Sequence, residues 1–230
     1  MNQPMTYKLI RSNRKTMAIH ITKDAQVEVR APFKAKQKEI EQFLISKRGW
    51  VEKHLARIAK TQENRLNFEL NYGDDRPLMG KRIPIVAREG NKVGFDGNCF
   101  YLPPGFPSDE IKVAVIGLYK QIAKQVLTDR TFAYGKEMGL APSAVKVNRA
   151  KTRWGSCSNK GSINYSWRLI MAEEEVIDYV IVHELAHLKE LNHSPRFWAI
   201  VESILPDYKR RQKKLKEFQK EIACENWDNS

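Results

Sequence analysis

Cysteine is scarce in this chain: Cys99, Cys157 and Cys224 are the only three in 230 residues. So sparse and odd a set makes no disulfide framework, and a reducing compartment is expected. No apolar run approaches the roughly 20 residues that a membrane-spanning helix needs. The stretch from Met1 to Ile10 also lacks the apolar core of a secretory signal. A cytoplasmic location without integral membrane association is therefore expected. Acidic residues are in deficit, 27 against 40 Lys and Arg, which leaves a net charge of +13. That excess points to an anionic partner or substrate (nucleic acid, nucleotide or acidic protein), the alternative being a solvated basic surface. Histidine is scarce as well. There are five, and three of them fall at positions 183, 187 and 193.

The apolar content suffices for a core: 42% of the residues are hydrophobic and 10% aromatic. The charge lies in blocks. Residues 1–60 carry 14 basic and 5 acidic residues, and residues 111–170 carry 11 and 2, so each block is +9. Between them, 61–110 is weakly acidic, and 171–190, with 1 basic and 6 acidic residues, is the most acidic stretch.

Alternation over Thr16–Ile21 and Gln26–Arg30 predicts two half-buried strands. Ile40, Phe43, Leu44, Val51, Leu55 and Ile58 recur at helical spacing and predict one long basic helix from Lys36 to about Thr61. Residues 66–105 are Gly- and Pro-rich and predict a small antiparallel sheet. Pro103-Pro104-Gly105, with Pro107-Ser108, is the strongest break. It divides the chain into a basic N-terminal strand–helix–strand subdomain over 1–105 and a second domain over 106–230. In the second domain a helix is expected from Asp109 to Met138, stopped at Gly139. Strands are expected next at 145–148 and 162–167, then a helix from Glu173 through Leu191, one from Ser194-Pro195, and a basic one from Pro206 to about Phe218.

The chemistry sits in the helix opened by Glu173. Val182-His183-Glu184-Leu185-Ala186-His187-Leu188 is an H-E-x-x-H motif. Histidines four apart share a helix face, so both imidazoles can reach one metal, for which zinc is the usual choice. Glu184 is then placed to hold a water beside that metal. A catalytic zinc takes three protein ligands and keeps one position open. His193 is favoured as the third, with Glu202 as the rival. Six helical steps would turn His193 to the wrong side, so the chain must leave the helix first. Asn192 is expected in the left-handed conformation that permits this, ahead of a new helix at Ser194-Pro195. The metzincin pattern is excluded, because Glu190 replaces its glycine and all six Met precede His193.

Four stretches carry a resemblance: Arg153-Trp154-Gly155-Ser156-Cys157, Asn164-Tyr165-Ser166-Trp167-Arg168-Leu169, the His183–Leu188 motif, and Asn192-His193-Ser194-Pro195-Arg196-Phe197-Trp198. Together they resemble the YgjP-like metallopeptidases, a family similar to SprT-like and WLM zinc proteases and to minimal gluzincins. The resemblance is strong over about 110–220 and less specific over 1–105. It implies one catalytic zinc at His183, His187 and His193, with Glu184 as general base. It also implies an α+β fold: a zincin-like C-terminal catalytic domain of helices packed on a small antiparallel sheet, with a mixed α/β N-terminal subdomain. An edge strand would pair with an extended substrate.

Arg153 is a candidate to steady an oxyanion or grip a phosphate or carboxylate, and Tyr165 is a candidate electrophilic helper. Cys157 is a candidate neighbour of the metal, while Phe197 and Trp198 are expected to pack behind it. Lys209–Lys214 is a candidate nucleic-acid patch, as is a larger surface of Arg11, Arg14 and Lys15 with Lys34, Lys36, Lys38, Lys47, Arg48 and Lys53, among which Trp50 lies. The expected activity is a zinc metallopeptidase. The alternatives are a nucleoside triphosphate (UTP) pyrophosphatase using the same centre, and a nucleic-acid-associated module with structural zinc. Glu184 weighs against the last, since a structural site needs no base.

Overall fold

A computed structural model describes residues 5–228. The chain is α+β and divides into two compact units, one running up to Phe68 with Ala223–Asn226, the other holding Glu69–Ile222 with Trp227 and Asp228.

The first unit is built on a three-stranded sheet of β1 (Lys8–Ser12), β2 (Ala18–Ile21) and β3 (Val27–Pro32), in the order β1-β3-β2. The central β3 pairs parallel with β1 and antiparallel with β2. Its alternate residues Val27, Val29 and Ala31 are buried, as period two requires, against Ile40 and Leu44 of α1 (Gln37–Ser46) and Val51 of α2 (Arg48–Leu66). Two expectations change here. The strand β1 lacks the clean alternation that revealed β2 and β3. The single helix over 36–61 is two helices, parted at Lys47 with φ −108° and ψ 6°. Gly49, a poor helix former, adjoins the break. Arg11 is spent internally, its guanidinium donating to the carbonyls of Pro32, Phe33 and Ala35 at 2.8–3.2 Å.

The second unit begins with a four-stranded sheet of β4 (Asp75–Leu78), β5 (Lys81–Ala87), β6 (Gly94–Phe95) and β7 (Phe100–Leu102), ordered β4-β5-β7-β6. It is mixed rather than antiparallel, because β5 and β7 run parallel. The 31-residue helix α3 (Ser108–Met138) comes next. Its stripe Ile111, Val115, Tyr119, Ala123, Leu127, Thr131 and Gly135, four apart throughout, is buried. It ends at Gly139, whose φ of 63° makes the left-handed cap. The small sheet lies in this second unit and is bonded to α3 and to residues beyond it. Tyr119 on α3 donates to the Pro77 carbonyl at 2.7 Å, and the Met79 amide to Ile170 at 2.9 Å.

Beyond α3 come β8 (Ala144–Asn148), β9 (Gly155–Cys157), β10 (Ser162–Ser166), a 3-10 turn (Trp167–Met171), α4 (Glu174–Ala186), α5 (Pro195–Ile204) and α6 (Tyr208–Ile222). The sheet order is β8-β10-β9, and this sheet too is mixed, correcting the expected antiparallel one. β9 and β10 form a hairpin, whereas β8 enters on the other side of β10 and runs parallel to it. Among the described residues, no helix is long and apolar enough to cross a membrane.

Candidate metal centre

Helix α4 is built to be buried. Acidic Glu174 and Glu175 occupy its first turn, where the helix dipole favours them. Val176, Ile177, Val180, Ile181, Val182, Leu185 and Ala186 are buried after them. The helix ends at Ala186 rather than Leu191. The Leu188 and Lys189 amides turn back to the carbonyls of Leu185 and Ala186, three residues earlier, which tightens the last turn. Asn192 is not left-handed, since the non-glycine residues of positive φ among those described are Ala25 and Met79. The tightened turn, not Asn192, carries the chain out of the helix. Ser194 then caps α5, its hydroxyl accepting from the Phe197 amide at 3.3 Å with Pro195 in the first helical position.

This path brings His183, His187 and His193 together. One ligand atom from each lies within 4.8 Å of the others, and Nε2 of His193 is 3.1 Å from Nε2 of His183. Ligands tetrahedral about zinc at 2.0–2.1 Å stand roughly 3.4 Å apart, so the donor set and its spacing fit that ion. The His187 ring is oriented from behind, its Nδ1 3.0 Å from the Glu190 carbonyl, which leaves Nε2 as the ligand atom. Nδ1 of His183 is buried without a hydrogen-bond partner. Burial and the neighbouring imidazoles push His183 down to about 3, and burial pushes His187 down as well. Both shifts favour the neutral imidazole, the form that binds metal. Glu202, the rival ligand, lies exposed on α5 outside the cluster. Cys157 is half-buried on β9, also outside it.

Phe197 is the packing centre of the site. Fully buried, its ring lies 4.5–4.9 Å from all three imidazoles. Trp198 stacks on His193 at 5.6 Å and on Tyr208 at 5.2 Å. Both residues thus pack where the sequence places them, against the histidine cluster.

Glu184 is 6% exposed. Burial pushes its carboxyl up to about 7, opposed by the positive charge of Arg153. Arg153 itself is exposed, in the loop before β9. Tyr165 does not reach solvent. It is fully buried on β10, and its hydroxyl lies 3.1 Å from that of Thr131 on α3. Burial raises its pKa, so the ring belongs to the core beneath the site rather than to a substrate-facing wall. The residue that sequence reasoning misses is Gly155, which reads as a turn former. A β carbon at this position would stand 2.5 Å from Oε1 of Glu184. Only packing reveals that requirement.

Three residues of the basic run 209–214 are engaged in ion pairs. Arg210 reaches Glu175 and Asp207, Arg211 reaches Asp207, and Lys214 reaches Glu173 and Glu175. These pairs tie α6 to the acidic start of α4.

A family model described as "YgjP-like, metallopeptidase domain" matches residues 15–218. No curated protein matches the chain. The chain is also similar to the crystal structure of the metallopeptidase zymogen of Pyrococcus abyssi abylysin, at 26% identity over 42% of this chain and 95% of that one, with a TM-score of 0.38. The metallopeptidase zymogen of Methanocaldococcus jannaschii jannalysin is similar at 23% identity, over 42% of this chain and 97% of that one, with a TM-score of 0.36.

Proposed function

The chain belongs to the YgjP-like metallopeptidase family, and from that premise we propose a zincin-like peptidase that holds one zinc ion through His183, His187 and His193 and uses Glu184 as general base. The observation that carries the reading is the convergence of three imidazoles from both sides of one helix end, with a buried carboxylate on the adjoining helical residue. A zinc ion bound there supplies Lewis acidity toward a peptide carbonyl and acidifies water.

The chain's own residues do the rest. Glu190 and Phe197 fix the ligand rings, so little reorganisation is needed on metal binding. Glu184 accepts the proton of the attacking water on a carboxylate oxygen and returns it to the departing amine. Arg153, exposed and electrostatically coupled to Glu184, offers a guanidinium to the polarised carbonyl or to a substrate carboxylate. β9 is an edge strand packed beside α4, and an extended peptide adds to its open edge.

The test measures zinc content and cleavage of an unfolded protein substrate together. Wild type is expected to carry one zinc per chain. His183→Ala should lose it, while Glu184→Gln should keep it and lose roughly 10²–10⁴-fold in rate. A Glu184→Gln protein that cleaves at the wild-type rate would overturn the assignment.

A further inference from the structure

Strands β8 and β10 run parallel, so their C-terminal ends lie side by side. Arg149 directly follows β8, and Trp167 and Arg168 directly follow β10. With Lys120 from α3 and Lys151 from the loop after β8, they line a pocket of about 130 Å³. Trp167 and Trp227 meet edge to face at 6.1 Å and give it an apolar wall. The lining thus carries four cationic side chains and one carboxylate, Asp228. None of these groups belongs to the histidine cluster.

Among the described lining residues, one carboxylate faces four cations. Asp228 pairs with Arg168 at 2.9 Å and with Lys151 at 2.8 Å. Among the described residues, neither Lys120 nor Arg149 has an acidic partner. Lys120 stands near two guanidiniums, and burial together with Arg149 and Arg168 pushes its ammonium below the ordinary lysine range. Arg168 is held in place by the carbonyls of Arg149 and Ala150, each 3.4 Å from its Nη1, and by its own ring neighbour Trp167. Like charges gathered in a concave site without a counter-charge repel one another. An external anion would offset that repulsion.

We propose that this pocket binds a phosphoryl dianion, the phosphate group of a small molecule. Asp228 offsets one of the four positive charges of the described lining, and a phosphate carries about −1.5 to −2 at neutral pH. A carboxylate, at −1, would offset less of that excess. Arg149 supplies a planar fork suited to two phosphate oxygens, and Lys120 a point charge beside it. The indole wall takes the rest of a molecule that bears the phosphate.

Calorimetric titration of the full chain at fixed ionic strength tests this, with inorganic phosphate as the first probe and ATP as the second. Saturable phosphate binding is expected. It should weaken roughly tenfold or more in Lys120→Gln and in Arg149→Gln, each checked for native circular dichroism, while Arg149→Lys should retain part of it. His183→Ala should bind phosphate as wild type does, which separates this pocket from the metal centre and from the peptidase reading. Tighter binding of ATP, lost in the same variants, would assign the phosphoryl group to a nucleotide; equal binding would assign it to free phosphate. No saturable binding, unchanged affinity in both glutamine variants, or loss in His183→Ala would each overturn the proposal.

Discussion

The carboxylate of Glu184 lies against the bare Cα of Gly155, so close that a β carbon there would stand 2.5 Å from Oε1 and 2.6 Å from Cγ. No positive φ is involved at this glycine; its requirement is for space. The side chain proposed to move protons is seated by an absence on the neighbouring strand.

Gly155→Ala therefore tests position without changing any titratable group. The obstruction is the Glu184 side chain from Cγ outward rather than backbone, so the fold yields by moving that side chain. We expect stability to fall by about 1–3 kcal/mol. Zinc content should stay at the wild-type level and kcat/KM for an unfolded substrate should drop at least tenfold. Full activity with unchanged kcat would show that Glu184 needs no such seat.

Tyr165→Phe separates a core tyrosine from a catalytic one. The hydroxyl is buried beside Thr131, whose own hydroxyl also donates to the Leu127 carbonyl. Removing the phenol costs about 0.5–1.5 kcal/mol in a denaturant titration. Peptidase kcat should stay within about threefold of wild type. A loss of a hundredfold or more, the size expected for a missing oxyanion donor, would return Tyr165 to the active site.

Phe197→Leu loosens the backing of all three imidazoles while keeping an apolar side chain. A stability loss of about 1–2 kcal/mol is expected from the incompletely filled space. Zinc should be lost to a chelator at lower concentration than in wild type. Equal chelator resistance would mean that the rings are held without Phe197.

Glu175 links the start of α4 to α6, and the hydrogen bonds and charges of Arg210 and Lys214 hold its carboxyl down to about 2. A carboxyl lowered on folding stabilises above its unfolded pKa, near 4.5, and the contribution disappears as pH falls through the folded value. Glu175→Gln should accordingly lower the unfolding free energy most at pH 6–7. The gap to wild type should narrow below about pH 4.5 and close toward pH 2, and it should shrink with added salt. A gap independent of pH would remove the ion pairs as its cause.

Features governed by local chemistry are legible in the sequence. His183-Glu184-x-x-His187 announces itself by spacing, and Ser194-Pro195 opens α5 because a hydroxyl cap and a proline are both at home in a first turn. Gly139 closes α3 for an equally local reason. Other features depend on which surfaces meet. The parallel pairing of β8 with β10 leaves no mark in either strand. Arg210, Arg211 and Lys214 read as a basic run until α6 is set against the acidic start of α4. Tyr165 is polar in composition and apolar in setting. Asn192 offers a plausible local device, but the turn is made by backbone hydrogen bonds that no side chain advertises.

Residues 187–193 have both ends fastened, at the Ala186 carbonyl and at the Ser194 cap, and each terminal residue aims a ring at the same point. Leu191 and Asn192 between them are exposed. Positions 191 and 192 therefore act as a spacer whose identity is free and whose length is fixed. Substitutions at 191 or 192 leave the triad standing. One residue inserted or deleted shifts the start of α5, taking His193 and Phe197 out of register together.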